Sequence, residues 1–145
     1  MHVYSAWFIG EGSLLVQAAE IWLELGHGIA GVASEDPGIA AWAERQGVRR
    51  VRATELQLTA AEQPFDYLFS LVNLRMLEPA LLGLARRLAV NFHDGPLPRY
   101  AGVNAPVWAL LHGEREHGVT LHVMEAGADE GDILVQRSCA IAPDE

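Results

Sequence analysis

The chain has 145 residues, half of them apolar, which is enough for one ordinary hydrophobic core and gives no compositional reason to expect a second. Its formal charge is −9, with Arg but no Lys, and the Arg residues are scattered apart from the pairs Arg49-Arg50 and Arg86-Arg87. This leaves no basic stripe for a phosphate backbone, so nucleic acid is not an expected partner. A single cysteine, Cys139, excludes an intrachain disulfide and a thiolate metal cluster, and a reducing, cytoplasmic setting is expected.

The N-terminal apolar stretch has no basic segment before it and is broken by Gly10-Glu11-Gly12, which argues against a signal peptide. No apolar run approaches the roughly 20 residues of a spanning helix, so no membrane partner is expected. Val3 to Ile9 is short and apolar, and Gly10-Glu11-Gly12-Ser13 bounds it. Leu14, Leu15, Ala18, Ala19, Ile21, Trp22 and Leu25 then recur at helical spacing, predicting strand, glycine turn and helix. Gly26 and Gly28 end that helix. Ile29 to Ala33 predicts a second strand, and Ser34-Glu35-Asp36-Pro37 opens a helix that runs to Gly47. Val48 to Val51 completes a βαβαβ start, the signature of a doubly wound parallel sheet with right-handed crossovers.

Residues 52 to 64 predict a loose helix over Leu56 and Leu58. Phe65 to Val72 is a fourth strand, with Asn73 to Leu77 as the loop at its C-terminal end, where open α/β sheets place ligands. Glu78-Pro79 starts a helix carrying Leu81, Leu82 and Leu84. The apolar run Leu88-Ala89-Val90 then leads into a strand that ends at Asn91 and His93, where Gly95, Pro96 and Pro98 stop it. Ala105 to Leu111 predicts a short helix closed by Gly113. Val119, Leu121 and Val123 alternate with Thr120, His122 and Met124, a half-buried strand with His122 on its polar face, where a surface and a pocket-wall role fit equally. The turn-rich Gly127 to Gly131 precedes a last strand, Ile133 to Ile141, expected to be antiparallel to its predecessor.

Three groups of residues are candidates for chemistry. Gly10-Glu11-Gly12 opens like a dinucleotide fingerprint, but the third glycine position is Leu15. The backbone N–H groups of Gly12 and Ser13 remain candidates for holding an anionic part of a substrate, beside the simpler reading of a tight turn. The six histidines match no ligand spacing of the His-Glu-x-x-His kind, so no metal is expected. Asn91 and His93 share one face of a strand tip, because alternate residues of a strand point the same way. Alone, such a pair caps a turn as readily as it forms a site. It gains weight from the proline-stiffened loop that follows and from Asp129, a carboxylate available from the next connection.

The blocks Asn91-Phe92-His93, Leu97-Pro98-Arg99-Tyr100-Ala101-Gly102, Trp108, His117-Gly118-Val119-Thr120-Leu121-His122 and Ala128-Asp129-Glu130-Gly131-Asp132-Ile133-Leu134-Val135-Gln136 occur in that order. Together they resemble the N-terminal catalytic domain of the 10-formyltetrahydrofolate-dependent formyltransferases. The segment Phe8 to Leu15, with His93-Asp94-Gly95-Pro96, looks more like the formyltransferase-like domains that begin nonribosomal peptide and polyketide assembly lines. The resemblance implies an α/β, Rossmann-like, doubly wound and mostly parallel sheet with a C-terminal antiparallel hairpin. It implies one domain over residues 1–145, without the C-terminal helices with which family members continue.

By the same resemblance, Asn91, His93 and Asp129 form the catalytic set. Asn91 would donate to the oxyanion, His93 would move a proton, and Asp129 would orient His93 and take the amine proton. The co-substrate would be 10-formyltetrahydrofolate, lying in a cleft between the loop Leu74-Arg75-Met76-Leu77 and the loop with Ala128 and Asp129. Two departures from the family pattern bear on the acceptor. Asp94 stands beside His93 where a Pro is usual, which makes Asp94 a candidate substrate-binding residue together with Gly12 and Ser13. Leu14 replaces an Asn that holds phosphate in the glycinamide ribonucleotide enzyme, disfavouring that substrate. The acceptor is expected to be an amine nitrogen of a small molecule or of a group carried on a carrier protein, with other domains of a larger synthase as possible partners and methionyl-tRNA the least expected. The alternatives are hydrolysis of the formyl donor and a non-catalytic module of a larger synthase.

Overall fold

The computed structural model describes residues 1–145, which divide into two compact units, Met1–Val90 and Asn91–Glu145. The first unit carries out the predicted alternation. Strand β1 (Ser5–Gly10) is followed by helix α1 (Gly12–Glu24), strand β2 (Gly28–Ala33), helix α2 (Pro37–Gln46) and the short strand β3 (Arg50–Val51). A single 3₁₀ turn (Ala53–Glu55) leads into α3 (Leu56–Ala60), then β4 (Phe65–Leu71), the one-turn α4 (Pro79–Leu82) and the start of β5 (Ala85–His93). Strands β2 and β4 flank β1 and β3 flanks β2, all three pairs parallel. The order β3-β2-β1-β4 results from both α1 and α2 crossing over as parallel connections require.

Local chemistry explains the boundaries. Gly10 ends β1 with φ 146°, and a Cβ there would lie 1.6 Å from the Leu71 carbonyl oxygen, so no other residue fits. Helix α2 has the expected start and stop. Asp36 caps it by accepting the Gly38 N–H at 2.7 Å, Pro37 occupies the first turn, and Gly47 closes it at φ 67°. The core is built from β1 (Phe8, Ile9), α1 (Leu15), β2 (Val32), α2 (Ile39), α3 (Leu56) and β4 (Phe65, Leu68), all fully buried. Each such Leu, Ile or Phe contributes about 1.5–3 kcal/mol by leaving water. Five expectations are trimmed. Strand β1 begins at Ser5, with Val3 exposed; β3 begins at Arg50, not Val48; β4 stops at Leu71 because Val72 takes φ 51°; α4 ends at Leu82, with Leu84 outside it; and Leu58, 81% exposed, is not a partner of buried Leu56.

The second unit holds the end of β5, helix α5 (Ala105–Leu111) and strands β6 (Glu116–Val123) and β7 (Ile133–Ala140). The last two form the expected antiparallel hairpin, in register from Glu116–Ala140 to Leu121–Val135, with a bulge between Leu121 and His122. The alternation predicted for β6 is present, but its sidedness is reversed. Gly118, Thr120 and His122 are the buried residues, and Val119, Leu121 and Val123 are only half-buried. Strand β7 is exposed along its whole length. No helix of the chain is long and apolar enough to cross a membrane.

Candidate active site

The polar face of β6 turns inward because the proline-rich loop after β5 supplies partners for it. Thr120 Oγ1 accepts the Leu97 N–H at 3.2 Å and donates to the Gly95 carbonyl at 2.7 Å. Gln136 of β7 donates both to Thr120 Oγ1 (3.0 Å) and to the Leu97 carbonyl (2.8 Å). Buried polar groups in a closed network of this kind are satisfied rather than stranded, and they hold the loop in one arrangement. Gly95 is required at its position by contact alone: a Cβ would lie 2.8 Å from His93 Nε2, 2.9 Å from the Tyr100 carbonyl oxygen and 3.1 Å from Ala105 Cβ.

On this support, the end of β5 presents Asn91, half-buried, and His93, buried. His93 Nε2 lies 2.7 Å from the Tyr100 carbonyl, which only accepts, so Nε2 carries a proton and donates it. The other ring nitrogen, Nδ1, lies 3.3 Å from Asp129 Oδ1. Asp129 adopts φ 53°, and its second oxygen accepts the Gly102 N–H at 2.6 Å. The turn that carries it folds back tightly at Gly131, where a Cβ would sit 2.0 Å from the Val123 carbonyl oxygen. Asn91, His93 and Asp129 are thus brought together from residues 38 positions apart, and Ala128 precedes Asp129 as an exposed residue of the same turn.

Two carboxylates approach His93, and they are not equivalent. Asp129 is 3.3 Å from Nδ1 with its side chain 13% exposed, whereas Asp94 is 4.0 Å away and 54% exposed. Water screens the second pair, so Asp94 contributes at most about 1 kcal/mol, and Asp129 dominates. The backbone of Asp94 acts separately, its carbonyl accepting a hydrogen bond from His117 Nε2 at 2.7 Å. Tyr100, whose carbonyl fixes His93, donates its hydroxyl to Glu114 at 2.9 Å and lies 3.0 Å from His112 Nδ1. Partial burial, reinforced by the Glu114 carboxylate, pushes the Tyr100 hydroxyl above the ordinary phenol range. The same hydroxyl, with Arg99, holds Glu114 below the ordinary carboxylate range despite desolvation.

The remaining candidates lie in the first unit. Gly12 N–H is already used: it donates to Asp36 Oδ2 at 2.9 Å, while the neighbouring Glu11 accepts from Ser34 Oγ (3.0 Å) and Glu35 N (3.2 Å). The turn therefore holds the chain's own carboxylate where an external anion was expected. The Gly12 bond, followed by that from Gly38, keeps Asp36 below the usual carboxylate range. Ser13 is exposed. In the loop after β4, Asn73 accepts the Arg75 N–H (3.1 Å) and donates to the Arg75 carbonyl and to Ser70 Oγ, both at 3.2 Å. That leaves Leu74 and Met76 largely exposed as apolar side chains at a strand end. No cluster of three His, Cys, Asp or Glu residues is arranged to hold a metal.

One further residue, which the sequence left open between the surface and a pocket wall, borders Asn91 and Asp129. His122 is 2% exposed, with Nε2 3.2 Å from Asn91 Nδ2 and 3.8 Å from Asp129 Oδ1. Its signal was its place on the polar face of β6, two residues from Thr120.

A family model described as Formyl transferase matches residues 27–145. Among curated relatives, the methionyl-tRNA formyltransferase of Geobacter metallireducens is 37% identical over 114 residues, covering 75% of this chain and 37% of the relative. That of Anaeromyxobacter dehalogenans strain 2CP-1 is 33% identical over 155 aligned positions, covering 95% and 50%. The chain thus spans half or less of the length of these relatives. Among solved structures, glycinamide ribonucleotide transformylase 1 from Geobacillus kaustophilus superposes with a TM-score of 0.85 at 25% identity, over 99% of this chain and 86% of that one. A formyltetrahydrofolate deformylase from Pseudomonas syringae shares the fold at a TM-score of 0.89 and 18% identity, over 99% and 53%. With its α/β architecture, parallel strands and terminal antiparallel hairpin, the chain belongs to the formyl transferase family.

Proposed function

We propose that this chain transfers a formyl group from 10-formyltetrahydrofolate to an amine nitrogen, with Asn91, His93 and Asp129 as its catalytic residues. The observation that carries the reading is the placement of Asp129 Oδ1 3.3 Å from His93 Nδ1, with Asn91 on the same strand tip. The amine nitrogen forms a bond to the formyl carbon, and the carbonyl π electrons move onto oxygen. The amide N–H of Asn91 stabilises that oxyanion, and each such donor is worth about 3 kcal/mol in acyl-transfer sites. The proton lost by the amine passes to Asp129, directly or through a water. Asp129 hands that proton to His93 Nδ1, 3.3 Å away, and His93 delivers it to the folate nitrogen as the oxyanion collapses and the bond to the formyl carbon breaks, which returns both residues to their starting state. The sequence of steps consumes no metal and forms no covalent enzyme intermediate.

Leu74, Arg75, Met76, Leu77 and Ala128 are the residues assigned to the folate donor. The exposed apolar side chains of Leu74 and Met76 at a strand end suit one face of a flat heterocycle. The acceptor is an amine of a small molecule or of a carrier-bound group. The carboxylate of Asp36 at Gly12 speaks against a phosphate held at that turn. The test is to incubate the chain with 10-formyltetrahydrofolate and follow tetrahydrofolate release against a panel of acceptors: amino sugars, amino acids, carrier-bound aminoacyl groups, glycinamide ribonucleotide and methionyl-tRNA. Acceptor-dependent release supports transfer. Release of formate with every acceptor omitted reassigns the chain to hydrolysis, and a donor that neither binds nor turns over removes the enzymatic reading.

A further inference from the structure

His122 has both ring nitrogens engaged, and their partners determine where its proton sits. Nδ1 lies 3.0 Å from the Val123 carbonyl and 3.1 Å from the Glu130 carbonyl. Both oxygens can only accept, so the proton of the neutral ring is on Nδ1 and the lone pair is on Nε2. That lone pair faces Asn91 at 3.2 Å and so selects the NH₂ end of the amide, not its oxygen. The choice matters because the two ends of an Asn side chain are nearly equal in size, and nothing in its shape fixes which one is presented. With one N–H given to His122, the second remains as a donor. With the amide reversed, a carbonyl oxygen would meet the developing oxyanion and repel it.

We propose that His122 is a positioning residue that fixes the Asn91 amide in its donor orientation; this rests on the formyl-transfer reading above. The Glu130 carbonyl ties the ring to the turn that carries Asp129, while the Val123 carbonyl of β6 sets the proton on Nδ1 jointly with it, and His122 in turn sets the amide of Asn91. The bulge between Leu121 and His122 is the local feature that brings the ring to this position in β6. Nε2 is also 3.8 Å from Asp129 Oδ1, so a proton on that nitrogen instead would draw the carboxylate away from His93 and face Asn91 with a donor.

Two measurements on the full chain test the proposal. Long-range ¹H–¹⁵N NMR of the imidazoles reads the proton position directly and needs no turnover: His122 is expected as the Nδ1–H form, with the Asn91 side-chain NH₂ protons slowed in exchange. An Nε2–H form overturns the proposal. The second measurement is steady-state formyl transfer by His122→Asn, which keeps a donor near Nδ1 but loses the acceptor, and by His122→Gln, which places an oxygen near Nε2. Each is made with Asn91 intact and in Asn91→Ala. His122→Asn is expected to lower kcat about 10–100-fold, a fraction of the loss of a whole oxyanion donor, with donor KM changed less than about 3-fold. His122→Gln recovers most of that loss, and in Asn91→Ala the His122→Asn change has an effect below about 2-fold. Equal losses in both backgrounds, or no recovery with Gln, overturn the proposal. A wild type that does not turn over the donor removes the formyl-transfer reading, while the NMR result still decides the His122–Asn91 contact.

Discussion

Asp129 and Asp94 both approach His93, and substitution separates their contributions. Asp129→Asn retains an oxygen for the Gly102 N–H but withdraws the charge 3.3 Å from His93 Nδ1. Its kcat for formyl transfer is expected to fall about 10²–10⁴-fold, the range of a general acid–base partner, with the melting temperature little changed. Asp94→Asn removes an exposed charge at 4.0 Å, and its kcat is expected to stay within about 5-fold of wild type because screened pairs contribute so little. Gly95→Ala pushes a methyl group against His93 Nε2 and the Tyr100 carbonyl, which share a 2.7 Å hydrogen bond. It should destabilise the chain by about 1–3 kcal/mol in urea unfolding and depress kcat as the ring shifts.

Among the elements, β6 is where sequence and structure part. Its period-2 pattern was legible, as were β1, α1, β2, α2, the strand ending in His93 and the terminal hairpin, because each has its own periodicity and its own glycine or proline boundary. The inward face of β6 was not legible. Val119, Leu121 and Val123 carry the stronger apolar signal, yet Thr120 and His122 are buried because their partners, Gly95, Leu97 and Asn91, lie more than twenty residues earlier. The same long range kept the contact of His122 with Asn91 from being read in the sequence, while Asn91, His93 and Asp129 were candidates through their motifs. Thr120→Val tests the weight of that face. The methyl group fills the space of the hydroxyl but removes its bonds to the Leu97 N–H, the Gly95 carbonyl and Gln136, leaving Leu97 N–H and the Gly95 carbonyl only their mutual 3.1 Å bond, and a loss of about 1–3 kcal/mol is expected from denaturant unfolding.

At the scale of the molecule, acid stability follows from carboxylates with lowered pKa values. The buried Asp66 accepts the Ser5 N–H at 2.9 Å and pairs with Arg86 at 2.9 Å. The Ser5 bond, opposed by burial and aided by Arg86, holds it below its ordinary value of 3.8. A carboxyl whose folded pKa is depressed contributes stability in full above the unfolded value and loses it as pH falls through the folded one. Asp66→Asn is therefore expected to destabilise the chain by about 1–3 kcal/mol near neutrality, with the difference from wild type closing as pH falls through the lowered pKa of the folded state. A gap that persists undiminished into acid would assign the effect to packing instead of charge.

The exposed strand β7 gives the hairpin a readable polarity. Ile141 donates its N–H to the Arg115 carbonyl, and the register carries the same parity to the pairs Cys139–His117, Arg137–Val119 and Val135–Leu121. In an antiparallel edge strand, successive amides point alternately to the partner and away from it. Hydrogen–deuterium exchange along β7 should therefore alternate residue by residue, slow at Val135, Arg137 and Cys139 and fast at Gln136, Ser138 and Ala140. Uniform slowing across all six would mean that another strand has added itself to this edge, the hazard that an uncovered strand carries.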